Sequence, residues 1–204
     1  MRLLLIGSLV LALAGFAWAG TSCYGWEDGT GTIFGFYGNL YNPTNVSDFA
    51  HTGSHSLYMQ ESPLGGTPQA YVAWINGLTD GDVVDVSFYA YDNTEGVSPS
   101  ARIWAHYTSD PMDPDSYAGS AYGLYDYSAG LGWDLLSYSW TFDSDGGSRD
   151  GLMIEFRLYS VAEFDEYWCD DICVTAPDGA IISFPGGTSA VDNTSWGSVK
   201  SLFR

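Results

Sequence analysis

Basic side chains are scarce in this sequence. Lys and Arg number 6 against 25 Asp and Glu, Lys200 is the single lysine, and the formal net charge is −19. Nucleic-acid binding needs a basic stripe that neutralises phosphates, so this function is excluded, and anionic membrane surfaces are disfavoured for the folded domain. Charged residues make up 15% of the chain and hydrophobic residues 46%, which separates it from a disordered acidic tail.

Glu and Lys, the charged residues that favour helices, are also few, because most of the acidic residues are Asp. Asp and the 25 Gly residues favour turns. Runs of alternating apolar and polar residues, broken by Gly, Asp, Asn and Pro, follow one another over residues 22–176. We predict an all-β fold, a jelly-roll β-sandwich of about nine strands, in a domain over residues 20–176. The predicted strands are Ser22–Trp26, Gly31–Phe36, Ser54–Glu61, Gln69–Asn76, Asp82–Asp92, Ala101–Ser109, Leu131–Phe142, Gly151–Ser160 and Glu166–Thr175.

The one long apolar stretch is at the N-terminus. Residues 1–19 have the pattern of a secretory signal peptide, with Arg2 as the positive start, Leu3–Phe16 as the apolar segment and Ala17–Ala19 as the cleavage site. The alternative is a short membrane anchor, but the segment falls below the ~20 residues that span a bilayer. We therefore predict a secreted or cell-surface protein without a transmembrane segment, in a compartment that permits disulfides.

The composition changes after the last predicted strand. Residues 177–190 are rich in Pro and Gly and predict a linker. In residues 191–204, Trp196, Val199 and Leu202–Phe203 recur at helical spacing and predict a short helical tail. This tail is either a frayed end docked loosely on the domain or a sorting or anchoring tag that export machinery would recognise.

The chain has only 3 cysteines. Cys169 and Cys173 lie in one predicted strand, where their Cα atoms would be about 13 Å apart at ~3.3 Å per residue. A disulfide needs less than about 7 Å. Cys23 is therefore expected to pair with one of them and to leave the other free.

Three predicted strands carry unusual side chains on the face opposite to the apolar one. They are Asp82–Asp92, Ala101–Ser109 and Gly151–Ser160. If the three strands share a sheet, these side chains line one cleft, and the combination of aromatic rings with charged hydrogen-bonding groups suits sugars. The predicted ligand-binding residues are Tyr89, Tyr91, Arg102, Trp104, His106, Glu155, Arg157 and Tyr159.

Other interpretations of this face stay open. Arg102 and Arg157 could pair with Asp85 and Glu155 on a solvated sheet that binds nothing. Glu155 with Asp85 could form a glycosidase pair, or Arg102 with His106 part of a lyase-like set. The high negative charge would repel the uronate polymers that such lyases bind, and no Ser-His-Asp order, phosphate loop or cofactor motif is present. We therefore predict no catalytic residues.

Five segments match, in the same order, the sequence motifs of a known group of β-sandwich domains. They are WEDG at Trp26–Gly29, HTGSHSLYM at His51–Met59, INGLTDGDVVDVSFYAY at Ile75–Tyr91, GWDLLSYSWTF at Gly132–Phe142 and YWCDDICVT at Tyr167–Thr175. Over about 150 residues the chain resembles the calcium-containing jelly-roll carbohydrate-binding modules, which are galactose-binding-domain-like β-sandwiches. The resemblance implies a secreted, non-catalytic domain that binds a neutral polysaccharide or surface glycan. The alternatives are a structural or adhesive cell-surface protein without a sugar site and a polysaccharide-degrading enzyme.

The resemblance also implies a structural calcium ion. Its ligands would be Glu27 and Asp170, with backbone carbonyls from the turn at Thr52–Ser54. Asp170 shares the parity of Trp168, Ile172 and Val174, which are expected in the core, and a carboxylate in that position is costly unless it is paired or bound to a metal. The alternative is an Asp170 capped by backbone N–H groups without a metal.

If Glu27 lies near Asp170 on antiparallel strands, Cys23 falls beside Val174. This implied register makes Cys173 the better disulfide partner and leaves Cys169 as a free thiol.

Overall fold

We analysed a computed structural model of the chain. The structure describes residues 19–47, 49–93, 95, 99–128 and 130–190, with the side chains of 188–190 left out. The predicted signal peptide, apart from its last residue, and the predicted tail at 191–204 lie outside the described residues. Among the described residues, no helix has the length and hydropathy to span a membrane.

The described residues form thirteen β-strands and one short 3₁₀ turn at Asp145–Gly147. The strands are β1 (Ala19–Tyr24), β2 (Phe36–Tyr37), β3 (Leu40–Val46), β4 (Ser56–Glu61), β5 (Gln69–Asn76), β6 (Val83–Asp92), β7 (Ser100–Thr108), β8 (Tyr117–Gly123), β9 (Gly132–Thr141), β10 (Gly151–Tyr159), β11 (Glu166–Pro177), β12 (Ile181–Phe184) and β13 (Gly187–Ala190).

The strands form two antiparallel sheets. Sheet I has the order β3-β4-β11-β6-β9, and β1 also pairs with β11. Sheet II has the order β13-β12-β5-β10-β7-β8, and β2 also pairs with β5. The predicted all-β sandwich is confirmed.

The predicted number of about nine strands is too low. The missed strands β3 and β8 are rich in Asn, Pro, Gly and Ser, so neither shows a clear apolar alternation. Of the strand predicted at Gly31–Phe36, only the last residue lies in β2, although the backbones of Phe34 and Gly35 also hydrogen-bond to Tyr71 of β5.

The predicted linker at residues 177–190 is also wrong. A turn at Gly179, with φ +89°, leads into β12, which pairs with β5 and with β13. Ile182 and Phe184 are buried in the core while Ile181 and Ser183 alternate with them. The Pro and Gly residues of this segment therefore mark the turns of a hairpin, and sheet II extends to the end of the described residues.

The core lies between the two sheets and follows the predicted parity closely. Val84, Val86, Phe88 and Ala90 of β6 are buried, and so are Ile103 and Ala105 of β7 and Leu152, Ile154, Phe156 and Leu158 of β10. Burying a large aliphatic or aromatic side chain contributes roughly 1.5–3 kcal/mol. The same alternation turns the intervening side chains of each strand away from the core.

A bulge in β11 overturns one parity prediction. Asp171 has φ +48°, and the register with β6 shifts between Asp170 and Cys173. The residues before the bulge therefore have the opposite parity to those after it. Cys169 faces the core, whereas Trp168, predicted in the core with Ile172, lies half-buried on the outer face.

The predicted disulfide is confirmed. Strand β1 runs antiparallel to β11 with Cys23 opposite Cys173, and their sulfur atoms are bonded. Cys169 is free and buried. The bond ties the described start of the chain to one of its last strands.

Candidate functional site

The predicted ligand-binding face is divided between the two sheets. Tyr89 and Tyr91 lie on β6 in sheet I, so their assignment to a shared cleft is wrong. The other six residues lie on β7 and β10, which pair in sheet II with Arg102 opposite Arg157 and Trp104 opposite Glu155. The alternation of a strand shows which side chains leave the core, but it does not show to which sheet the strand belongs.

A buried polar network forms the centre of the outer face of sheet II. His106 Nδ1 lies 2.7 Å from Glu155 Oε1, and Arg157 Nε donates to Glu155 Oε2 at 2.7 Å. Because an ionised carboxylate only accepts hydrogen bonds, His106 carries its proton on Nδ1. The Gln69 amide completes the network, with its nitrogen 3.1 Å from Glu155 Oε2 and its oxygen 3.2 Å from Arg157 Nη2.

The Trp104 side chain packs beside this polar network and does not form an exposed surface for sugar stacking. Its side chain is only 7% exposed, and its Nε1 donates to Ser120 Oγ of β8 at 3.0 Å. Tyr122 and Tyr125 pack edge-on against it, and the guanidinium of Arg157 lies 4.4 Å from its ring centroid. Direct stacking of a sugar on Trp104, as the sequence predicted, is therefore blocked by neighbouring side chains.

The side chain of Arg102 is likewise packed against aromatic rings. Its guanidinium lies 3.5 Å from the ring centroid of Tyr127 and 5.0 Å from that of Tyr159. The two rings pack edge-to-face with their centroids 5.0 Å apart. Arg102 and Tyr159 therefore form a cation–π cluster beside the polar network.

An open cavity of about 520 Å³ lies over the network, and we call it the sheet II cavity. Tyr37 of β2 and Tyr117 of β8 flank it, and each is 64% exposed. Tyr71 of β5 and Tyr117 both contact the His106 ring, at centroid distances of 4.8 and 5.3 Å. The other lining residues are Gln69, Ser120, Glu155 and Arg157.

Tyr71 remains a neutral phenol in this cavity. Burial, and then the negative charges of Glu155 and Asp115, raise its pKa to about 12. A neutral phenol both donates and accepts hydrogen bonds, as sugar hydroxyls do.

The sequence reasoning missed part of this cavity. Tyr37 and Tyr117 lie on strands that were not recognised, and neither has a distinctive neighbouring motif. Gln69 and Tyr71 lie on a strand that was recognised, and their alternation with the buried Ala70 and Val72 was the signal that could have found them.

The fold is similar to that of solved carbohydrate-binding modules. The CBM22-1 and CBM22-2 xylan-binding domains of Paenibacillus barcinonensis Xyn10C each give a TM-score of 0.52, at 13% and 17% sequence identity. The alignments cover 76% of this chain in both cases, and 92% and 98% of those domains. A structure of carbohydrate-binding modules from the β-sandwich superfamily gives 0.51 at 16% identity, over 73% of this chain and 59% of that one.

The chain therefore shares a β-sandwich fold with these modules. No family model matches the sequence, and no curated protein matches it. At identities this low, the similarity establishes the fold and not the ligand.

The predicted calcium ligands lie at the opposite sheet, where β11 meets the loop before β4. Asp170 is fully buried, and its Oδ2 accepts hydrogen bonds from the N–H groups of His51 at 2.8 Å and Thr52 at 3.2 Å. Glu27 Oε1 accepts from the N–H groups of Ser54 and His55, both at 2.8 Å. The loop therefore presents N–H groups to the two carboxylates, whereas the sequence predicted carbonyl groups.

These contacts give the two carboxylates different acidities. Backbone hydrogen bonds from His55 and Ser54 lower the pKa of Glu27 to about 2. Burial raises the pKa of Asp170 to about 6 in spite of its hydrogen bonds. Asp170 is thus a buried acid that is stabilised by neutral donors.

The carboxylates of Asp170 and Asp171 approach Gly25, whereas the carboxylate of Glu27 lies against Gly53. The position that a Cβ would take on Gly25 lies 3.2 Å from Asp170 Oδ1 and 3.3 Å from Asp171 Oδ1, and Glu27 Cγ lies 3.9 Å away. Among the described residues, no group of three or more His, Cys, Asp or Glu side chains has the geometry of a metal site. The donors themselves are hard oxygens of the kind that Ca²⁺ prefers, and carboxylate oxygens that accept N–H groups retain lone pairs.

The carboxylates considered as a glycosidase pair do not meet. Asp85 lies on β6 in sheet I, on the outer face, and Glu155 lies on β10 in sheet II, also on the outer face. The core of the sandwich separates them, so they cannot act on one glycosidic bond.

Proposed function

We propose that this domain binds a neutral polysaccharide in the sheet II cavity. The observation that carries the proposal is the combination of two exposed tyrosine rings, Tyr37 and Tyr117, with the hydrogen-bonded network of His106, Glu155, Arg157 and Gln69 below them, which we call the polar floor. Sugar rings bind proteins through C–H faces that pack on aromatic rings and through hydroxyls that need fixed donors and acceptors. The cavity offers both kinds of contact.

The charges of the floor favour an uncharged ligand. Glu155 and Arg157 neutralise each other at 2.7 Å, so the cavity has no unpaired cation to attract a uronate. The whole chain carries a formal net charge of −19, which repels polyanions at long range. Xylan, the ligand of the CBM22 neighbours, is a suitable first probe, together with glucans and mannans.

The test is a binding panel with matched variants. Tyr37→Ala and Tyr117→Ala should each weaken binding by about tenfold or more, because each removes a ring face without removing core contacts. Tyr41→Ala is the control, since Tyr41 is 48% exposed on β3 of sheet I and should leave the affinity unchanged. If no neutral polysaccharide binds to the parent domain, a structural or adhesive role replaces the binding role.

The domain is proposed to act outside the cytoplasm. The signal-peptide pattern of residues 1–19 and the bond between Cys23 and Cys173 support export, because disulfides persist in oxidising compartments. N-terminal sequencing of the protein recovered from the medium or cell surface should then start at Gly20. Retention of Met1 in the cell-associated protein would contradict this proposal.

Calcium is proposed as a structural ion held by Glu27 and Asp170. The complete burial of Asp170, with only neutral N–H donors near its oxygens, supports the proposal because a cation would offset the cost of its charge. Bound Ca²⁺ would supply positive charge at the junction of β11 with the loop at residues 51–55. It has no part in the sheet II cavity, which lies on the other sheet.

A further inference from the structure

A second group of aromatic rings lies on the outer face of sheet I. Four of its residues are directly opposed across neighbouring strands, since Trp168 pairs with Tyr58 on one side and with Tyr91 on the other, and Tyr91 pairs with Trp133. Adjacent rings in this row have centroids 5.2 to 5.5 Å apart. We call Tyr58, Trp168, Tyr91 and Trp133 the sheet I row.

Phe49 packs on the row from the preceding loop. Its ring centroid lies 4.6 Å from that of Tyr91, 5.0 Å from that of Trp168 and 5.5 Å from that of Trp133. It stacks on Trp133 with an interplanar angle of 15° and thereby covers that end of the row. The other end, at Trp168 and Tyr58, opens into a groove of about 540 Å³.

A fixed carboxylate borders the groove. Glu166 Oε1 accepts a hydrogen bond from Tyr58 Oη at 2.9 Å, and its Oε2 accepts one from Asn93 Nδ2 at 2.9 Å. Both donors are neutral, and the two hydrogen bonds leave the carboxylate oxygens with lone pairs that can accept further hydrogen bonds. The groove thus has aromatic rings on several sides and an oriented acceptor on its rim.

We propose that this groove is a second saccharide-binding site, separate from the sheet II cavity. Its ligand is one ring of a neutral glycan, with a C–H face on Trp168 and a hydroxyl donated to Glu166. Among the described residues, no cation pairs with the Glu166 carboxylate, whose charge therefore disfavours uronates and other anions. A quaternary ammonium ion fits less well, because such ions need rings that stand apart around a box, whereas these rings contact one another.

Two sites on opposite outer faces of the sandwich have a functional consequence. One domain would hold two glycan chains, or two parts of one chain, and cross-link them. The ligand class is shared with the proposed function, so this inference rests on it in that respect, but the two sites share no residue.

The test is an NMR titration of the ¹⁵N-labelled full domain with xylo-, gluco- and manno-oligosaccharides. The indole N–H signal of Trp168 reports on the groove, and that of Trp104, bonded to the cavity residue Ser120, reports on the sheet II cavity. We expect both signals to shift, with separate dissociation constants. Tyr37→Ala should remove only the shift of Trp104.

The outcomes separate the two sites. A shift of Trp104 with no shift of Trp168 at saturation overturns the second site and leaves the proposed function. A shift of Trp168 alone supports the second site and refutes the proposed one. The second site is overturned if neither signal shifts with any glycan. It is also overturned if the Trp168 signal shifts with tetramethylammonium but with no sugar.

Variants of the groove provide an independent measurement. Tyr58→Phe removes only the hydroxyl that orients Glu166, and Trp168→Ala removes the ring face. The expected loss of affinity, read from the backbone amide signal of Asn93, which lines the groove, is about tenfold or more for Trp168→Ala and smaller for Tyr58→Phe. Unchanged affinity in both variants overturns the site, and Tyr58→Phe keeps the test valid if Trp168→Ala unfolds.

Cross-linking is measured by the turbidity of a long neutral polysaccharide mixed with the domain. The parent should raise turbidity, and loss of either site alone, through Tyr37→Ala or Trp168→Ala, should abolish the rise while one-site binding persists. Tyr41→Ala is again the control. Equal turbidity with one site disabled would contradict the two-site geometry.

Discussion

Glu155 allows the most direct test of the polar floor. It is 1% exposed and accepts hydrogen bonds from His106, Arg157 and Gln69. Replacing it with Ala leaves the Arg157 guanidinium, whose side chain is 17% exposed, and the His106 and Gln69 donors without their acceptor. Removing one partner of a buried ion pair costs about 3–5 kcal/mol in the free energy of unfolding. Glu155→Gln keeps the shape but loses the charge, and should cost about 1.5–3 kcal/mol.

The measurement is equilibrium urea unfolding at neutral pH, with the disulfide intact. Glu163→Ala is the matched control, because Glu163 is an exposed loop acid and should change stability by less than about 0.5 kcal/mol. Adding Arg157→Ala to Glu155→Ala should cost less than the sum of the single changes, since it removes the stranded charge. A cost below about 1 kcal/mol for Glu155→Ala would refute the conclusion that its hydrogen bonds to His106, Arg157 and Gln69 stabilise the fold.

Three further predictions concern other parts of the fold. Millimolar Ca²⁺ should raise the melting temperature above that in EDTA by mass action, and Asp170→Asn should remove most of this difference; equal melting temperatures would contradict the calcium site. Peptide mapping without reduction should give a Cys23–Cys173 peptide, and Cys169 should react with thiol reagents only after unfolding. Trp104→Ala should lose about 3–5 kcal/mol of stability, as a core truncation does, and a loss below about 1 kcal/mol would show that Trp104 is not packed.

Sequence reasoning predicted the inner faces of the strands because burial enforces a period of two. Along β6, Val84, Val86 and Phe88 follow it without exception. The prediction fails at Trp168, since the bulge at Asp171 adds a residue to one strand and reverses the parity on one side of it. No local pattern in the sequence marks that bulge, which depends on a left-handed backbone at a non-glycine residue.

The pairing of strands was harder to predict than their existence. Tyr89 on β6 and Trp104 on β7 are close in the chain and both face away from the core. They nevertheless belong to different sheets, because β6 pairs with β11 and β9 whereas β7 pairs with β10 and β8. Alternation is the same in both sheets, and only long-range pairing distinguishes them. The register of β1 with β11 was predicted to within one residue, because the motif resemblance provided a long-range contact.

Facing away from the core is not the same as facing solvent. His106 and Glu155 were predicted on an open face, yet they are 2% and 1% exposed. The side chains of Tyr37, Tyr71 and Tyr117 flank these groups as an added layer, and polar groups beneath that layer must pair with each other. The groups left to meet a ligand are therefore those of the added layer, Tyr37 and Tyr117. These two rings lie on short, irregular strands without a clear alternation. Sequence periodicity therefore predicts the buried polar residues below the ligand more readily than the rings that would contact it.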